Sequence, residues 1–143
     1  MPKNIAVKLI KKYNTNDPFI IAEHKNIHVI FWSLHEEIAG FYKYIRRNRF
    51  IFLNKSLPEQ LSYFVCSHEL GHALQHPRIS TPFVKNKTLF SVDKIEIEAN
   101  KFAVELLMPD DLIREYSHLT IYEIAKIANV PQEVVHLKDY EFS

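Results

Sequence analysis

A single cysteine, Cys66, in 143 residues excludes an internal disulfide framework, and a reducing cytoplasm is the expected compartment. Long apolar runs are missing too. None approaches the roughly 18–20 residues that span a bilayer, so no membrane association is expected. The basic start, MPKNIAVKLIKKY, alternates charged and apolar residues at helical spacing and lacks the continuous apolar core of a secretory signal. An excess of either charge is also absent: 18 Lys and Arg stand against 17 Asp and Glu, a net charge of +1. That gives no strong field toward nucleic acid or an anionic membrane. Internal repeats and low-complexity tracts do not occur. Hydrophobic residues at 47% and charged residues at 24% are an ordinary globular balance, and the length fits one domain over residues 1–143. What the chain does have is histidine, eight in all. Three of them fall in one short stretch, VCSHELGHALQH, Val65 to His76.

The pattern around that stretch predicts a mainly helical α+β domain. Residues 5–13 read as a helix, with Ile5, Leu9 and Ile10 apolar and Lys8, Lys11 and Lys12 outward. Residues 19–24 read as a second short helix. Residues 27–32, 38–45 and 50–53 are β-rich, with a hairpin turn at 46–48, which predicts a small antiparallel sheet of about three strands. Arg46, Arg47 and Arg49 are read as a solvated hairpin tip, because the charge is not echoed elsewhere.

Ser56 and Glu59 are spaced as a capping box, and Pro58 suits a first helical turn. The helix they predict carries Leu61, Phe64, Val65, Leu70, Ala73 and Leu74 and stops at His76-Pro77. Residues 78–92, with Thr81, Pro82 and Phe83, look like a long loop beside the cleft. A second helix is predicted over 94–107 and ends at Met108-Pro109. Shorter helices follow at 110–116, 121–128 and 132–137. The segments group as 1–55 (first helices and sheet), 56–107 (active helices) and 108–143 (closing helices).

His68-Glu69-Leu70-Gly71-His72 is H-E-x-x-H. Residues four apart on a helix point the same way, about 6 Å apart along the axis. Two imidazoles so placed can share one tetrahedral zinc, and the glutamate after the first can reach a metal-activated water as general base. Gly71 costs helix stability, and close backbone approach at a site is a reason to accept it. A catalytic zinc takes three protein ligands, so a third is needed. His76 lies eight residues from His68, roughly 12 Å along a straight helix, too far for the same ion. It reads as a C-terminal histidine facing the helix dipole. In DKIEIEANKFAVELLMP the apolar face runs Ile95, Ala99, Phe102, Ala103 and Leu106, and Glu98 falls on it. An acid buried there needs a cation. Glu96 is three after Asp93 and reads as the second member of a capping box. Glu105 reads as solvated. The expected site is therefore His68, His72 and Glu98 on zinc with Glu69 as base. Cys66 reads as a buried thiol, since CSHE offers no second sulfur.

HELGHALQHP followed by EIEANKFAVELLMP resembles the ImmA/IrrE family of metallopeptidases, with H-E-x-x-H in one helix and E-A-N-x-F-A-x-x-L-L-M-P in the next. The likeness extends upstream through GFYKYIRRNRFIFLNKSLPEQLSYFVCSHE and covers about residues 5–116. The resemblance implies a small zincin-like α+β domain, metal ligands at His68, His72 and Glu98, and a catalytic Glu69. It also implies a place on a prophage or integrative element, where such proteins act as anti-repressors by cutting a helix-turn-helix repressor. The partner would then be a protein, met by a monomer with no direct nucleic-acid contact.

For cleavage, residues 49–53 are expected to offer a strand edge to an extended substrate. Tyr116, His118, Tyr122 and His136 are candidate oxyanion donors, and the sequence does not choose among them. Two other functions stay open. LTIYEIAKIANVPQEVV has the rhythm of a helix-turn-helix, but Gln132, Glu133, Lys138, Asp139 and Glu141 make a mixed to acidic face unsuited to phosphates. A helical hairpin closing the domain fits better. Alternatively the protein could inactivate its partner by binding alone, which would leave Glu69 dispensable.

Overall fold

The computed structural model describes residues 1–141. Two helices open the chain, α1 (Pro2–Tyr13) and α2 (Pro18–His24). The Asp17 carboxylate starts α2 by accepting from the backbone N–H groups of Phe19 and Ile20. Three strands follow, β1 (Ile27–Trp32), β2 (Ile38–Ile45) and β3 (Asn48–Asn54). Arg46 and Arg47 join the last two, with φ of 49° and 67°. Two consecutive positive φ values are what a two-residue type I′ hairpin requires, so the expected turn forms with arginines in place of the usual Asn-Gly. The remaining elements are α3 (Glu59–Gln75), β4 (Pro82–Val84), α4 (Lys85–Leu89), α5 (Lys94–Leu107), α6 (Asp110–Glu115), α7 (Ile121–Ile127) and a 3-10 helix (Gln132–Leu137). No helix among the described residues is long and apolar enough to cross a membrane.

The mixed α+β class expected from the sequence is observed, with two differences in the sheet. It has four strands, in the order β1-β3-β2-β4. It is also not wholly antiparallel, because β1 pairs with β3 in parallel, Ile27 opposite Arg49 and Trp32 opposite Asn54. The hairpin inserts its second strand beside β1, which fixes that direction. The fourth strand comes from within residues 78–92, expected to be a loop, which also holds α4. It pairs with β2 around an irregularity between Ile38 and Gly40. Because β3 is paired on both sides, it has no free edge; the edges are β1 and β4. The expected substrate-pairing role for residues 49–53 is therefore excluded.

The inner face of the sheet carries Tyr42, Ile51 and Leu53, all buried, and α3 lies against it. A Cβ on Gly40 would stand 2.7 Å from the Phe52 carbonyl oxygen and 3.0 Å from Val65 Cγ1. Helix α3 thus rests directly on the strands at this point. Every residue of α3 from Phe64 to Ala73 is buried, because α5 covers the side away from the sheet. The capping box expected at Ser56 does not form. Ser56 bonds instead to Asn54 Oδ1, through its backbone N–H at 3.1 Å and its hydroxyl at 2.9 Å. No side chain caps α3. A capping box does form at α7, between Thr120 and Glu123.

Candidate metal centre

His68 and His72 lie one turn apart on α3, and their Nε2 atoms are 3.1 Å from each other. The third group is Glu96 of α5. Its Oε1 lies 3.4 Å from His68 Nε2 and contacts His72 Nε2 directly. A metal with bonds of 2.0–2.1 Å in a tetrahedron spaces its ligand atoms about 3.3 Å apart, which the two separations from His68 match, and all three atoms lie within 4.8 Å of one another. Glu98, the expected ligand, is elsewhere. Its Oε1 lies 3.3 Å from His76 Nε2, and its side chain is 34% exposed. The reason is helical phase: residues two positions apart on a helix differ by about 200°, so Glu96 and Glu98 cannot both reach the His68–His72 pair. Glu96 also leaves the capping role expected for it, since Asp93 accepts from the Ile95 N–H alone. Glu105, expected to be solvated, is buried.

Helices α3 and α5 run in opposite directions, which sets the pairings. His68 meets Asn100, while His72, farther along α3, meets Glu96, earlier in α5. The Asn100 amide has a fixed orientation because its Nδ2 donates to the Thr88 carbonyl oxygen at 3.1 Å. Its Oδ1 must then accept from His68 Nδ1, at 2.8 Å. Burial lowers the pKa of His68, with the neighbouring His72 acting the same way against the hydrogen bonds of Glu96 and Asn100. With Nδ1 committed to Asn100, His68 turns Nε2 into the cluster, and that nitrogen offers a lone pair whenever the ring is neutral. Asn100 is a functional residue that the sequence reading left unassigned. Its signals in the sequence are its place in the E-A-N-x-F-A motif and a polar side chain four after Glu96.

Glu69 is the group without a partner. Both carboxylate oxygens are buried and neither meets a hydrogen-bond partner. Burial pushes its carboxyl well above the usual carboxylate range, and the charge of Glu96 pushes the same way. The Tyr42 backbone acts weakly in the opposite direction, short of hydrogen-bond geometry. Burial also acts upward on Glu96, but the hydrogen bonds and charges of His68 and His72 more than offset it and hold that carboxyl at about 2. Two imidazoles and an ionised acid converge on one centre, with an unpaired carboxylate beside them. That arrangement fits a divalent cation and the general base that works next to it.

The surroundings close over this cluster. Phe83 of β4 packs edge-on against His68, ring centroids 4.8 Å apart, and the Thr81 hydroxyl reaches Glu96 Oε1 at 3.4 Å. The Tyr42 hydroxyl donates to the Pro77 carbonyl oxygen at 2.8 Å, and Ser80 bonds back to the Tyr42 carbonyl. Cys66 is a buried thiol whose pKa burial pushes up, as expected. Among the described residues, none of Tyr116, His118, Tyr122 and His136 has a polar contact with the cluster. The closing segment is a seven-residue helix and a six-residue 3-10 turn. A helix-turn-helix needs a full second helix to lay in a groove.

The family model described as the IrrE N-terminal-like domain, a peptidase family, matches residues 22–138. The chain belongs to this family. The IrrE-like domain is also similar to the "Uncharacterized immunity region protein 2" of Bacillus phage phi105, 55% identical over 96% of this chain and 88% of that protein. It is similar as well to "Metallopeptidase ImmA" of Bacillus subtilis (strain 168), 29% identical over 99% of this chain and 83% of that one. The family supports a metallopeptidase-type domain, and the buried His68, His72 and Glu96 cluster fits a metal site within it.

Proposed function

We propose that the chain is a zinc-dependent endopeptidase that cuts a helix-turn-helix repressor and so induces the prophage or integrative element carrying both. The observation behind the chemistry is the partnerless Glu69 carboxylate beside three donor atoms that share one centre. Two imidazoles and one carboxylate are a ligand set of catalytic zinc, which keeps a fourth position open. The biological half is supported by a relative named for a phage immunity region and another named a metallopeptidase.

A zinc ion bound here supplies Lewis acidity to the scissile carbonyl and to the attacking water. His68, His72 and Glu96 would hold it. Glu69 takes the proton from the water at a carboxylate oxygen and passes it to the nitrogen of the leaving amine. The raised proton affinity that burial gives Glu69 suits that task. Strand β4 is an edge strand and touches His68 through Phe83, so it is the strand that would pair with an extended substrate.

One observation favours a second reading. His68, Glu69 and His72 are each at most 1% exposed, so an anti-repressor that grips its partner without admitting a peptide fits the same fold. The test is to incubate a candidate helix-turn-helix repressor, sought among the neighbouring genes, with the wild type and with Glu69→Gln. Cleavage by the wild type alone supports the peptidase. Equal inactivation of the repressor by both proteins, with no fragments, selects binding.

A further inference from the structure

The two metal-facing imidazoles have unlike partners on their far sides. His68 is held by an amide. His72 is held by a third histidine, with a carboxylate beyond it. His72 Nδ1 lies 3.2 Å from His76 Nδ1, and His76 Nε2 lies 3.3 Å from Glu98 Oε1. His76 sits where α3 ends, at φ −134° and ψ 57°, and its backbone N–H still donates to the His72 carbonyl oxygen at 2.7 Å. Its ring is therefore folded back over the last turn of α3 and only 10% exposed. Glu98 is anchored from the same turn, because Gln75 Nε2 donates to its backbone carbonyl at 3.4 Å.

Proton placement gives this chain a direction. A ligating imidazole nitrogen must be bare, so His72 with Nε2 toward the ion keeps its proton on Nδ1 and donates there. His76 Nδ1 must then accept. The one proton of a neutral His76 is left on Nε2, facing an oxygen of a carboxylate, a group that only accepts. Each link has one allowed sense, and the sequence of donors runs from the ion outward to Glu98.

We infer that His76 and Glu98 are positioning residues for the ligand His72, fixing its tautomer and ring orientation so that Nε2 faces His68 and Glu96. This rests on the metal reading above. It also gives both residues a purpose: His76 is too far along the helix to ligate, and Glu98 is on the wrong face of α5. Their effect falls on affinity for the ion rather than on the folding of the metal-free chain, because without the ion His72 can take either tautomer.

The test measures zinc affinity by competition with a chromogenic chelator, alongside melting of the metal-free protein, for wild type, His76→Leu, Glu98→Leu, Glu98→Gln and the double Leu variant. Loss of such an outer partner weakens metal binding about 10–100-fold. That loss is expected for His76→Leu and Glu98→Leu, with metal-free melting unchanged. Glu98→Gln keeps an acceptor oxygen and should restore most of the affinity. The double variant should be no weaker than His76→Leu, since the relay is already cut at its first link. Wild-type affinity in both single Leu variants overturns the inference, as does a loss matched by equal destabilisation of the metal-free protein. Glu96→Ala separates the two levels. If wild type binds zinc and Glu96→Ala does not, a normal His76→Leu refutes the relay alone. If wild type and Glu96→Ala bind alike, the metal reading itself falls.

Discussion

Gly71 of α3 lies against Phe102 of α5 so closely that a Cβ on it would stand 3.1 Å from Phe102 Cδ2 and 3.3 Å from the Ala99 Cα. The glycine inside H-E-x-x-H therefore serves helix packing. It lets α5 approach until Glu96 and Asn100 reach the histidines on either side of it.

Gly71→Ala sets two effects against each other. Alanine gains about 1 kcal/mol in helix propensity. Overpacking a filled core costs about 1–3 kcal/mol. Phe102 is fully buried and Ala99 presents backbone, so neither can swing aside, and the clash should prevail. A melting temperature lowered by a few degrees and weaker metal binding are expected. A rise in melting temperature would show instead that α5 can yield.

Glu69→Gln should stabilise the metal-free protein at neutral pH. Burial raises the pKa of Glu69 in the folded state, so folding favours its protonated form. The stability tied to that proton is fully present below the ordinary carboxylate value of about 4.3 and is lost as pH rises through the folded value. Glutamine has no such loss. An uncompensated buried group costs about 1–3 kcal/mol, so the variant should melt several degrees higher at pH 7, with the gap closing below pH 4. A gap that does not change with pH would remove buried ionisation as its cause. The same variant is inactive on the peptidase reading, so a stability gain would mark strain kept for function.

Much of this was readable in advance, and the failures share a cause. H-E-x-x-H, the bounds of α5 and those of β1 and β2 follow from periodicity and from proline stops, which are local. Choosing between Glu96 and Glu98 required the phase of α5 against α3. The apolar pattern starts at Ile95, yet Ile95 is only half-buried, and the residues that meet α3 include Glu96, Ala99, Asn100 and Phe102. The parallel pairing of β1 with β3 depends on which strand of the hairpin turns inward, and an alternating pattern does not encode that. Glu105 looked solvated because its partner, Lys138, is 33 residues away.

That partner supplies the next expectation. Lys138 Nζ lies 2.6 Å from Glu105 Oε1 and 2.7 Å from Asp110 Oδ1, and the Lys138 and Glu105 side chains are each 2% exposed. The Asp139 N–H also donates to Glu105 Oε2, at 2.8 Å. Together these contacts tie Lys138 and Asp139 to α5 and α6. Removing one member of a buried pair strands the other and costs about 3–5 kcal/mol. Lys138→Met should therefore lower the denaturation midpoint strongly, and adding Glu105→Leu should recover part of the loss. The exposed pair Asp111–Arg114 serves as the control, with no measurable change for Arg114→Ala. Equal effects at the two sites would mean that the buried cluster contributes no more than a surface pair.

Ligand binding itself should be visible as stability. Any ion held by the folded chain and not by the unfolded one raises stability by about 2.7 kcal/mol at 100 times its dissociation constant. Zinc added to the metal-free protein should thus raise its melting temperature in a concentration-dependent way, and a chelator should reverse the shift. Glu96→Ala removes the acid whose oxygen both imidazoles contact, so the shift should vanish. Glu98→Gln keeps the acceptor oxygen that faces His76 and should retain the shift almost in full. An undiminished shift in Glu96→Ala would remove that acid from the set of ligands.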